Sequence, residues 1–199
     1  MTPAETMLSQ QVKAVMAQGR PADALAGIEQ FLRSQPRSGV ALDLKAQALK
    51  QLGRRDDALA ALRQAVEIDE RSVFLRHNLA GLLGDMGKAA EAETQARKAM
   101  SLGGDAPETW LVLGRALMAQ DRHGAATEAF GQAIRRRPQY ADALHELAQL
   151  TWMLTGDAPA AEAVFDAAIA GGGSAEPRLR IFKARLQDYL DKPEAAYRT

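Results

Sequence analysis

The stretch TWLVLGRALMAQDRHGAATEAFGQAIRRRP, residues 109–138, decides the fold. Its apolar residues recur at three- and four-residue intervals, which predicts two amphipathic helices separated by a turn. Two stripes run along the first helix. One stripe consists of Trp110, Leu113, Gly114 and Leu117. The other consists of Leu111, Arg115 and Met118. Packing against a single neighbour needs only one stripe, so the second stripe needs an explanation of its own.

The stretch is one copy of a repeat. The small residue Ala126 recurs with a period of 34 residues, with one extra residue before the fifth copy, at Ala24, Ala58, Ala92, Ala126, Ala161 and Ala195. The turn before these alanines contains Gly19, Gly53, Gly87 and then Asp121, with Gly156 near it in the fifth unit. A period of this length in a helical sequence indicates pairs of helices that stack on one another.

Residues 107–138 resemble the tetratricopeptide repeat, whose pattern is W-x2-L-G-x2-Y…A-x3-F…P. The chain has the residues of this pattern at the expected spacings, except for Leu117 in the aromatic position: Trp110, Leu113, Gly114, Leu117, Ala126, Phe130 and Pro138. The other units match less well, and Arg76 stands where the tryptophan of the pattern is expected. The resemblance covers residues 5–199, nearly the whole chain.

The resemblance implies an all-α fold, a right-handed α-solenoid of stacked helix–turn–helix units. We predict one domain over residues 5–199, with five full units and one partial unit. Their ranges are 5–38, 39–72, 73–106, 107–140, 141–175 and 176–199. A single unit cannot bury its own apolar face, so neighbouring units have to share a continuous core.

Composition argues against several classes of partner. Lysine plus arginine equals aspartate plus glutamate at 25 each, so the chain has no general attraction to nucleic acid or to an acidic membrane. There is no cysteine, which is consistent with a reducing compartment. The N-terminus does not resemble a secretory signal, and no apolar run approaches the ~20 residues of a membrane span. We therefore expect a cytoplasmic protein.

The sequence shows no catalytic or metal-binding motif. The histidines His77, His123 and His145 lack the spacing and the acidic partners of a metal site. No serine lies in a nucleophile elbow. The arginines at 135–137 end a second helix, where the helix dipole favours positive charge. We predict a protein that is not an enzyme and needs no cofactor.

The second stripe indicates a binding surface. In this family the first helices line the concave side, and the positions one, five and eight residues after the tryptophan position face the groove. We predict that a protein or peptide partner binds at His77, Leu111, Arg115, Met118, His145, Gln149 and Trp152, and at Phe74, which lies two residues before the tryptophan position of its unit. Tryptophan and arginine are frequent hot spots, and methionine adapts to different ligands. The function predicted from the sequence is a protein-interaction scaffold.

Two further interpretations stay open. Residues 140–157 resemble repeats found ahead of 2-oxoglutarate/iron oxygenase-like domains in bacteria, so the chain could be the non-catalytic arm of a larger enzyme. The last helix carries Phe182 and Tyr189, which would suit self-association, and the sequence stops where a second helix of that unit should begin. This pattern is typical of a region taken from a longer protein.

Overall fold

The computed structural model describes residues 2–170 and 176–190, and within these ranges every regular element is an α-helix. The helices are α1 (Pro3–Ala17), α2 (Pro21–Ser34), α3 (Gly39–Gln51), α4 (Arg55–Ile68), α5 (Val73–Asp85), α6 (Ala89–Ser101), α7 (Pro107–Met118), α8 (His123–Arg136), α9 (Ala141–Thr155), α10 (Ala158–Ala170) and α11 (Glu176–Leu190). The predicted all-α class is confirmed, and each predicted full unit contains one pair of helices. The side chains of Phe182 and Tyr189, on which the predicted self-association depends, lie outside the described part.

Local signals set where several helices begin. Thr2 and Glu5 form a capping box at the start of α1, in which each side chain accepts a hydrogen bond from the other residue's backbone N–H. Ser38 caps α3 by accepting a hydrogen bond from the backbone N–H of Ala41 at 3.1 Å. Ser72 caps α5 in the same way. These caps satisfy amide groups that have no partner inside the helix.

The turn between the two helices of a repeat contains a residue whose backbone is in the left-handed conformation. Gly19, Gly53 and Gly87 have φ of 73°, 75° and 73°, and Asp121 takes the same conformation with φ of 57°. Asp121 is the one non-glycine residue with positive φ in the described ranges. The repeat spacing predicts Asp121 at this turn, and aspartate tolerates a left-handed conformation better than most residues do.

The chain divides into two compact units, each of which contains several repeats. The first unit is Met1–Gly104 and the second unit is Asp105–Thr199. In the first unit, the backbone of α1 lies close to that of α3 and the backbone of α3 lies close to that of α5, whereas the described second helices α2, α4 and α6 show no such close backbone approach. A side-chain ion pair between Arg63 and Glu91 links α4 to α6. In the second unit, α7 contacts α9 and α9 contacts α11, while α8 and α10 make no such contact. This is the arrangement expected in each unit if the first helices line the inner side of a curved stack.

The repeated positions form the interior. The alanines that reveal the period are all buried within the described range, at Ala24, Ala58, Ala92, Ala126 and Ala161. The position four residues later is buried in each of the five full repeats, at Ile28, Leu62, Ala96, Phe130 and Phe165. No described helix is long and apolar enough to cross a membrane.

Candidate functional site

The packing stripe of α7 behaves as the repeat pattern predicts. Leu113, Gly114 and Leu117 are buried. Gly114 faces the ring of Phe130 on α8 so closely that a Cβ atom added to Gly114 would lie 2.4 Å from a ring carbon. Trp110 is half-buried, and its indole N–H donates to Asp105 at 2.9 Å. This stripe therefore packs α7 against α8.

The second stripe of α7 is only partly at the surface. Arg115 is exposed and Met118 is half-buried. Leu111 is buried, so its prediction as a groove residue is wrong. The spacing rule assigns Leu111 to the inner side of its helix, but it cannot show that the rest of the unit covers that position.

The predicted residues of α9 are all half-buried. They are His145, Gln149 and Trp152. Trp152 packs against the core cluster of the second unit that contains Leu144, Phe165 and Leu186. Burial lowers the pKa of His145, and the charge of Arg115 acts in the same direction, while Glu146 and Asp142 oppose this effect. Because its pKa is lowered, the neutral imidazole is favoured at neutral pH.

Met153 was missed by the sequence analysis. It follows Trp152 at the end of α9, and its side chain is 54% exposed. We define the methionine–tryptophan patch as Met118, Trp152 and Met153, which contribute apolar surface from the last turns of α7 and α9. The omission has a simple cause, since the spacing rule selected only three positions on each first helix.

An ion pair connects α7 and α9 beside this patch. Nε of Arg115 lies 2.6 Å from Oε1 of Glu146. The side chain of Glu146 is 13% exposed, whereas that of Arg115 is 49% exposed. The Glu146 carboxylate is thus shielded from solvent, whereas the Arg115 guanidinium is accessible.

The first compact unit contains the other two predicted residues, Phe74 and His77, on α5. Phe74 is exposed and His77 is half-buried. The six predicted residues on α7 and α9 belong to the second unit.

Polar contacts join α3 and α5 in the first unit. The buried carboxylate of Asp43 accepts hydrogen bonds from Nδ2 of Asn78 at 2.6 Å and from Nε2 of Gln47 at 2.7 Å. Lys50 of α3 pairs with Asp85 of α5. Burial raises the pKa of the Asp43 carboxyl above its ordinary value of 3.8, while the hydrogen bonds from Asn78 and Gln47 act against this increase.

The raised pKa of Asp43 predicts how stability depends on pH. Because the folded-state pKa exceeds the unfolded-state value, the folded chain binds more protons between these two values. The stabilisation from Asp43 is thus fully present below about pH 3.8 and is lost as pH rises through the folded-state pKa. We expect Asp43→Asn to gain stability relative to the wild type as pH rises from 4 to 7. Urea denaturation followed by circular dichroism measures this, and a difference that is constant or has the opposite slope would contradict the prediction.

The two units differ at equivalent positions two periods, or 68 residues, apart. Lys50 and Asp85 form an ion pair in the first unit, and their equivalents in the second unit are Met118 and Met153. Gly84, where an added Cβ would meet nothing within 4 Å, is equivalent to Trp152. The second unit therefore has apolar side chains where the first unit has charged groups and bare backbone.

The chain was compared with known proteins. A tetratricopeptide repeat family model matches residues 10–72 and 111–176, and a second model of that description matches residues 75–103. The comparison with curated proteins finds no match. Among solved structures, the chain is similar to PilW, a widely conserved type IV pilus biogenesis factor, with 23% identity and a TM-score of 0.79 over 99% of this chain and 90% of that one.

Two further structures show the same fold. One is PilF of Pseudomonas aeruginosa, with 20% identity and a TM-score of 0.76 over 98% of this chain and 87% of that one. The other is MamA of Desulfovibrio magneticus RS-1, residues 41 to the end, with 15% identity and a TM-score of 0.71 over 85% and 96% of the two chains. At these identities the likeness concerns the fold alone. Because the family model covers more than half of the sequence, the chain belongs to the tetratricopeptide repeat family.

Proposed function

We propose that the chain is a scaffold that binds a segment of a partner protein along the first helices of its second unit. Membership of the family supports the general role, because stacked repeats of this kind present extended inner surfaces to protein partners. The observation that carries the more specific proposal is the replacement of the Lys50–Asp85 ion pair by two methionines at the equivalent positions.

The surroundings of the methionine–tryptophan patch suit a binding surface. Arg115, His145 and Gln149 border it on α7 and α9, and apolar patches with a polar rim often mark interaction sites. Methionine side chains adapt to differently shaped apolar groups, and tryptophan and arginine are frequent hot spots. Leu111 is left out of this proposal because it is buried.

Peptide selection on the immobilised full-length chain tests the proposal. A displayed library of 12-residue peptides would be enriched on the wild type, and the affinities of the enriched peptides would be measured for Met118→Ala, Met153→Ala and Trp152→Ala. We expect each substitution to weaken binding about 10-fold, since truncation of an apolar hot spot costs 1–2 kcal/mol or more.

Met7→Ala is the matched control, because Met7 is 71% exposed on α1 and lies in the other unit. Its removal should leave affinity unchanged. If Met7→Ala and Met153→Ala have the same effect, the proposed surface is wrong. Phe74→Ala tests separately whether the predicted contact at Phe74 and His77 contributes to binding of the same peptides.

The alternative role, a non-catalytic arm of a larger enzyme, stays a prediction of the sequence. Such an arm would also act as a scaffold.

A further inference from the structure

The guanidinium of Arg115 is held at one edge and open at the other. Its Nε donates to Oε1 of Glu146 at 2.6 Å. The ion pair is made through Nε, and the Arg115 side chain, which also carries Nη1 and Nη2, is 49% exposed. These two nitrogens carry four of the five N–H donors of the side chain.

The shielded carboxylate of Glu146 anchors this group. Fixing Nε limits the orientations of the planar guanidinium, so less conformational entropy is lost when a ligand binds its remaining donors. A ligand approaching Arg115 therefore meets oriented N–H donors, while most of the Glu146 side chain is covered. The chemical group that fits two adjacent N–H donors is a carboxylate, which can bind them in bidentate fashion.

The equivalent position in the first unit lacks this property. Gln47 stands two periods before Arg115, and it donates to Asp43 within its own helix. Lys50, equivalent to Met118, is paired with Asp85. At these equivalent positions, a group that attracts an acid next to an apolar surface is thus present in the second unit and absent from the first.

The spacing on α7 limits the geometry of the ligand. Arg115 and Met118 are three residues apart on one helix, so their Cβ atoms lie about 5–6 Å from each other. A helical partner matches this distance with residues three or four apart.

We propose that the partner segment carries an acidic side chain that binds Nη1 and Nη2 of Arg115. One helical turn away along the same partner segment, a large apolar side chain contacts the methionine–tryptophan patch. This inference rests on the proposed function and specifies the chemistry of the partner. His145 also borders the surface, and the charges acting on it are those of Glu146, Asp142, Arg115 and Arg185.

Three synthetic 12-residue peptides test the inference. They share leucines at fixed positions and differ at one residue, three positions before the central leucine, which is Glu, Gln or Lys. Fluorescence anisotropy would measure their binding to the full-length wild type and to Arg115→Gln. We expect the Glu peptide to bind the wild type about 10-fold more tightly than the Lys peptide, in keeping with a charge-assisted hydrogen bond.

Arg115→Gln should remove this preference, so that the Glu and Gln peptides bind with affinities within twofold of each other. Arg135→Gln is the control for net charge, because Arg135 is an exposed arginine on α8. It should preserve the preference. Equal binding of the Glu and Lys peptides to the wild type, or a preference that survives Arg115→Gln, would overturn the inference.

The outcomes also separate this inference from the proposed function. If all three peptides bind equally and Met153→Ala weakens all of them, the patch is a binding surface and only the acidic requirement fails. If the Glu peptide is preferred but Met153→Ala and Met118→Ala have no effect, the apolar part of the inference fails together with the proposed surface.

Discussion

Gly114→Ala is expected to lower the free energy of unfolding of the second unit by about 2 kcal/mol. In most helix interiors this substitution stabilises, because alanine has a higher helix propensity than glycine by about 1 kcal/mol. Here the added methyl group would lie 2.4–3.0 Å from three carbons of the Phe130 ring. The ring is fully buried, so it cannot move aside without disturbing the contact between α7 and α8.

The neighbouring ring provides a test of this cause. Phe130→Ala alone should cost about 3–5 kcal/mol, the usual range for removing a buried phenylalanine. In that background the methyl group of Gly114→Ala no longer meets the ring, and the substitution should raise stability by up to about 1 kcal/mol. A change of sign between the two backgrounds is what a direct steric conflict predicts. The same loss in both backgrounds would assign the effect of Gly114→Ala to something other than Phe130.

The chain contains a convenient probe for this experiment. Its two tryptophans, Trp110 and Trp152, both lie in the second unit, so tryptophan fluorescence during urea denaturation follows that unit. Gly81→Ala is the matched control in α5 of the first unit, because a Cβ atom there would meet nothing within 4 Å. It should stabilise the first unit by about 1 kcal/mol, as seen by circular dichroism, and leave the fluorescence transition in place.

The sequence predicted those parts of the structure that repeat. Gly114, Phe130 and the alanines that reveal the period occupy positions with one packing role in the five full repeats, so their burial follows from the spacing. Asp121 was placed correctly at a turn for the same reason, although it is not glycine. A position shared by all copies carries information that a single copy does not.

The exposure and the contacts of residues that differ from one repeat to the next were harder to predict. Leu111 follows the rule for the inner side of a first helix but is buried, because its exposure depends on the side chains packed around it. Met153 lies one position beyond the three that the rule selects. The hydrogen bond between Asp43 and Asn78 joins residues from successive 34-residue repeats within the first unit, and sequence spacing along one helix cannot reveal such a pair.

That hydrogen bond is the basis of the second large expected effect. Asn78→Asp should lower the free energy of unfolding of the first unit by about 3 kcal/mol at neutral pH. In the wild type, Nδ2 of Asn78 donates to the buried Asp43 carboxylate over 2.6 Å. The substitution replaces this donor by a second carboxylate, and two like charges at that distance cannot both remain ionised without separating. The loss should shrink as pH falls towards 4, because a protonated carboxyl can donate again.

Exchanging the two residues should restore the contact. In the double variant Asp43→Asn with Asn78→Asp, the new amide at position 43 donates to the new carboxylate, and its oxygen still accepts from Nε2 of Gln47. We expect stability within about 1 kcal/mol of the wild type at pH 7, measured by urea denaturation with circular dichroism. A double variant as unstable as Asn78→Asp alone would show that burial of charge at position 78, rather than the lost hydrogen bond, is responsible. Recovery would instead assign the effect to the pairing of a donor with an acceptor between α3 and α5.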